Sequence, residues 1–113
     1  MKNKIKRLLL KLGVDPSLHG YDYLVDAIDI YYQDKSYARQ ITKRLYPYVA
    51  SKNNTTVDRA ERCIRNAVEK VCNTAPDLVD ELILPISCDS GKYTNSQFIC
   101  ACVEKLKMEE ENA

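Results

Sequence analysis

The sequence predicts an all-α domain of about six helices. Apolar residues recur at intervals of three and four along most of the chain, which is the helical period. No stretch carries the strict alternation of a strand. Glycine, proline and hydroxyl or amide side chains fall between the periodic segments, where helices stop and start. The elements follow in order. Residues 4–12 read as a short amphipathic helix, stopped by Gly13 and by Pro16 beyond it. Asp15-Pro16-Ser17 is a turn. From Gly20 to about Gln33, the residues Leu24, Ala27, Ile28, Tyr31 and Tyr32 mark a second helix. Residues 36–52 predict one or two helices with a break around Tyr46-Pro47, because proline disfavours helix in the residue before it. Lys52-Asn53-Asn54 is a polar turn. Thr55 or Thr56 caps a long helix to about Cys72, and Thr55 with Asp58 has the spacing of a capping box. A short helix over 77–84 and a loop from Pro85 to Tyr93 come next. Thr94-Asn95-Ser96 caps a last helix to about Met108, and the tail Glu109 to Ala113 is expected to fray.

With 113 residues, 45% hydrophobic and 29% charged, the chain is one small domain able to hold a core without staples. No apolar run approaches the roughly 18 residues a membrane helix needs, so no membrane partner is expected. The basic start, Met1 to Lys11, lacks the apolar segment and cleavage site of a secretory signal, which predicts a cytoplasmic protein. The net charge of +1 hides an asymmetry. Residues 1–70 carry +6 and residues 71–113 carry −5, and residues 35–70 alone hold nine basic side chains against three acidic ones. A polyanion would therefore meet one segment rather than the whole surface.

The five cysteines, at 63, 72, 88, 100 and 102, are odd in number and have no C-x-x-C spacing. They read as small buried hydrophobes, and neither a disulfide framework, a metal nor a cofactor is expected. His19 is the only histidine, and it sits at a turn before a helix. No nucleophile elbow, zinc-protease or phosphate-loop pattern occurs, so the chain is not expected to be an enzyme.

The helix at 56–72 carries the functional reading. On a wheel of 100° per residue, Val57, Ala60, Ile64, Ala67, Val68 and Val71 fall within a span of about 100°. Asp58, Glu61, Arg62, Arg65, Asn66 and Glu69 form a second stripe, centred about 140° away. The bland interpretation is a solvated face with the ion pairs Asp58/Arg62, Glu61/Arg65 and Arg62/Glu69. The sharper one is a recognition helix. Arginine pairs with guanine, glutamate accepts from the cytosine amine and asparagine pairs with adenine in the major groove. Glu61, Arg62 and Arg65 are the base-reading candidates, with Asp58 and Asn66 facing bases or backbone. A helix from about Lys43 to Lys52 precedes it across a short turn, which is helix-turn-helix spacing over about 43–72. Lys43, Arg44, Lys52 and Arg59 flank it as phosphate-holding cations.

These residues resemble the DNA-binding effector domains of the stage 0 sporulation protein A family of response regulators. The likeness covers nearly all of the chain. It is strongest from Ile41 to Glu69 and is supported by HGYDYLVDAI, His19 to Ile28, and by YTNSQFI, Tyr93 to Ile99. The resemblance implies a six-helix domain that binds double-stranded DNA at short promoter boxes. It also implies tandem copies, a homodimer on neighbouring boxes, and contact with RNA polymerase. The family's base-reading glutamate and two arginines fall on Glu61, Arg62 and Arg65. By position the resemblance also suggests phosphate contacts from Lys52, Thr56, Lys92 and Asn95. Asp58 stands where the family usually has a small neutral residue, Ala60 replaces a usual valine, Cys63 a usual alanine and Tyr93 a usual proline. The receiver domain that the family joins to this one does not fit within 113 residues. The chain is therefore expected to be an isolated effector domain or a stand-alone relative. The rival expectation is an interaction module that modulates a full-length relative without touching DNA.

Overall fold

The computed structural model describes residues 1–74, 77, 79 and 93–111. Most of the expected helix at 77–84, most of the loop after it, Cys88 and Lys92 lie outside the described residues. Among the described residues there are five α-helices: α1 (Lys2–Leu12), α2 (His19–Gln33), α3 (Tyr46–Lys52), α4 (Val57–Thr74) and α5 (Asn95–Glu111). No strand occurs among the described residues. No helix among them is long and apolar enough to cross a membrane.

Helix α1 ends where the sequence predicts. Gly13 takes the left-handed conformation at φ 92°, and Val14 N–H bonds back to Leu9 O at 3.0 Å. This is a Schellman stop, which glycine adopts without steric cost. Asp15 then accepts from both the backbone and the hydroxyl of Ser17, at 2.9 and 2.7 Å, and the chain turns into α2. His19 is the first residue of that helix rather than part of the turn, stacked on Tyr23. Helix α2 is the centre of the fold. It packs against all four other helices, and ten of its fifteen residues are buried.

The stretch expected to hold one or two helices has three parts. Lys35–Arg39 is a 3-10 turn started by Asp34, which accepts from Ser36 N–H at 2.9 Å. Ile41–Leu45 is a π-turn that runs directly into α3. Pro47 lies in the first turn of α3, where its missing N–H costs nothing. The break is thus at Gln40, and proline begins a helix here rather than interrupting one.

Helix α5 begins with a reciprocal capping box. Gln97 N–H donates to Thr94 Oγ1 at 3.1 Å, and Thr94 N–H donates to Gln97 Oε1 at 3.0 Å. The expectation of a frayed tail is corrected for 109–111, which continue the helix. Lys105 pairs with Glu109 at 3.8 Å, and Lys4 of α1 pairs with Glu110. The core between the helices holds Ile5, Leu9, Leu24, Ile28, Leu45, Ile64, Phe98, Ile99 and Leu106, all essentially without exposure. Cys102 is wholly buried among them, and burial pushes its thiol well above the ordinary value. It packs as a small hydrophobe.

Candidate nucleic-acid interface

Helix α4 divides as its periodicity requires. Ala60, Ile64, Ala67, Val68 and Val71 are buried against α2, α3 and α5, with Val57 half-buried at the edge. Asp58, Arg62, Arg65, Asn66 and Glu69 are exposed, and Glu61 is partly so. One helix therefore anchors one side and offers two arginines, a glutamate and an amide on another.

The turn before it is built by its asparagines. Asn53 ends α3, and its amide donates to Val49 O at 2.9 Å and to Asp26 Oδ2 at 2.8 Å on α2. Asn54 is left-handed at φ 52°, a conformation asparagine tolerates better than most residues. Thr55 N–H then bonds back to Ala50 O at 2.9 Å. Asp26 is buried and also lies 3.5 Å from Lys2 Nζ, so the turn is fixed to α2 and through it to α1.

The cap of α4 is Thr56, whose Oγ1 accepts from Arg59 N–H at 3.2 Å. This corrects the capping-box spacing expected from Thr55 and Asp58. With Thr56 at the cap, Asp58 occupies the second helical position, not the third. There its carboxylate faces the positive end of the helix dipole, which is favourable at this terminus.

On the outward stripe, Arg65 Nη1 donates to Glu61 Oε1 at 3.1 Å, an i,i+4 pair with both side chains substantially exposed. Such a pair is worth only a few tenths of a kcal/mol. The pairs Asp58/Arg62 and Arg62/Glu69 are not among the ion pairs of the described residues. Arg62 therefore extends from the surface with no carboxylate of the described residues to hold it.

Among the expected phosphate contacts, Lys52, Thr56 and Arg59 are exposed around the α3–α4 turn. Lys92 lies outside the described residues. Asn95 is corrected. It is 9% exposed, and its amide donates to Tyr46 Oη at 3.0 Å and to Glu61 O at 3.3 Å. Its side chain is turned inward, with its amide committed to these two oxygens. Tyr46 is buried beside it, and that burial pushes its phenol above the ordinary value.

An arrangement of rings and cations next to α3 escapes sequence reasoning. Arg44 lies over the Tyr37 ring at 4.2 Å and donates to Ser36 Oγ at 2.7 Å. Tyr37 meets Tyr48 edge-on at 5.9 Å, and Lys52 lies 5.6 Å from the Tyr48 ring. The Tyr48 hydroxyl, 3.3 Å from Lys52 Nζ, holds that ammonium above the ordinary lysine value. These residues line an open groove along α3 with both cations ordered on aromatic faces. Only the Tyr48/Lys52 spacing of four was a signal for this; Tyr37 reaches the others through the 3-10 and π-turns.

A family model described as the sporulation initiation factor Spo0A C terminal matches residues 5–106 of the chain.

Proposed function

This chain belongs to the Spo0A C-terminal family, the DNA-binding effector domain of a sporulation regulator, and from that membership we propose that it reads duplex sequence with α4 in the major groove. The observation that carries this reading is the division of α4. Its apolar stripe is locked into the core while Arg62 and Arg65 point outward beside Glu61. In helix-turn-helix proteins the N-terminal part of the second helix meets the base edges. Arg62 and Arg65 are the guanine readers in this proposal, and Glu61 accepts from a cytosine amine. The Glu61–Arg65 pair sets the arginine fork before duplex arrives. Asn66 reaches bases or backbone at the far end of the stripe, and Asp58 tunes the near end. Lys52, Thr56 and Arg59, around the α3–α4 turn, hold phosphates and set the register. The helix-turn-helix unit is residues 43–72 of a single effector domain. Tandem copies on neighbouring boxes, and contact with RNA polymerase, are the partners that family membership proposes.

Selection of bound sequences from a random duplex pool at a stated salt concentration tests this. One short recurring box is the expected result, and a pool that stays random overturns the reading. Lys52→Ala should weaken binding to the box and to random duplex alike. It should also make the slope of log affinity against log salt shallower by about 1, measured by titration at several salt concentrations. The exposed carboxylate of Asp58 at the head of the stripe favours the rival, an interaction module that acts on a full-length relative. That rival predicts no shift of any duplex by the chain alone.

A further inference from the structure

We propose that Asn95 is a positioning residue for base reading: its buried amide fixes the first turns of α4 against α3 through Tyr46 and the Glu61 carbonyl. The inference rests on the function proposed above. Three helices meet at this one side chain. Asn95 is the first residue of α5, Tyr46 the first of α3, and Glu61 lies in the second turn of α4. The Glu61 carbonyl can only accept, so the amide nitrogen is the atom that faces it.

The start of α5 does not need this side chain. Thr94 and Gln97 already cap it reciprocally. Burying an amide is costly unless it is paired. Here the pairing is spent on two neighbouring helices rather than on α5 itself. Directional bonds also fix a rotation about the α4 axis that apolar contacts alone leave looser. The bond ends on the peptide of Glu61, whose own carboxylate holds Arg65 at 3.1 Å. A small rotation of that peptide moves a glutamate and an arginine together, both on the outward stripe.

Asn95→Asp separates this role from a plain structural one. Aspartate suits the first position of a helix, so α5 should start as before. Its carboxylate cannot donate to the Glu61 carbonyl. Tyr46→Phe removes the other bond by deleting one hydroxyl. Both variants are compared with the unaltered chain by circular dichroism and thermal melting. N–H residual dipolar couplings of α4 are then measured relative to α2 and α5 in the free protein. Affinity for the selected box and for random duplex is measured at several salt concentrations. The expected result is unchanged helical content, altered α4 couplings, a box-to-random ratio lowered about tenfold in Asn95→Asp, and the same salt slope. Tyr46→Phe should give a smaller fall in the same direction, and it decides the matter if Asn95→Asp does not fold. A folded variant with the couplings and the ratio of the unaltered chain overturns the proposal. If the unaltered chain selects no box, the functional reading above has failed, and the couplings alone decide whether Asn95 sets α4.

Discussion

Gly20→Ala is expected to destabilise the fold by about 2 kcal/mol, against the usual direction of such a change. Alanine in place of glycine in a helix normally stabilises by up to about 1 kcal/mol. Here a Cβ would lie 2.4 Å from the Cys63 carbonyl oxygen and 2.9 Å from the Ala67 Cβ, both on α4. The first contact is with backbone, which cannot swing aside, so α2 and α4 must separate. Overpacking of this kind costs about 1–3 kcal/mol and outweighs the propensity gain. Thermal unfolding should show a fall in Tm of about 8 °C for a domain of this size. A raised Tm would show that the two helices are not seated this closely. Cys63 lies between Arg62 and Arg65 in sequence, so the same change should also lower affinity for the selected box.

The second large effect is on recognition. Arg62→Ala combined with Arg65→Ala is expected to reduce preference for the box over random duplex by about a hundredfold. Each guanine-reading arginine contributes roughly 1–3 kcal/mol of discrimination, and neighbours three apart on a helix do not add fully. Stability should change by no more than about 0.5 kcal/mol, because the residues are exposed and the one ion pair lost, Glu61–Arg65, is weak. Fluorescence anisotropy with both duplexes, alongside a denaturant melt, measures the two quantities. Equal losses on box and random duplex would reassign these arginines to phosphate. No loss on either would leave the bland reading of a solvated helix face.

Helix α4 is legible in the sequence because its two stripes are both long and chemically distinct. Eighteen residues give five helical turns, so the period is unambiguous, and Thr56 marks its start within one residue. The stop at Gly13 and the start at Thr94 were legible for the same kind of reason, since local chemistry alone determines them. What was not legible depended on distant partners. Asn95 beside a helix cap looks like a surface amide, and only Tyr46 and Glu61, far away in sequence, turn it inward. The acidic run Glu109–Glu111 looks like a loose tail until Lys4 is set across from it. The 3-10 and π-turns at 35–45 have no pattern of their own; they bring Tyr37 and Arg44 alongside α3, and that juxtaposition is a property of the fold.

The Lys4–Glu110 pair joins the first helix to the last described one. Both side chains are substantially exposed, so this clasp should loosen as salt rises.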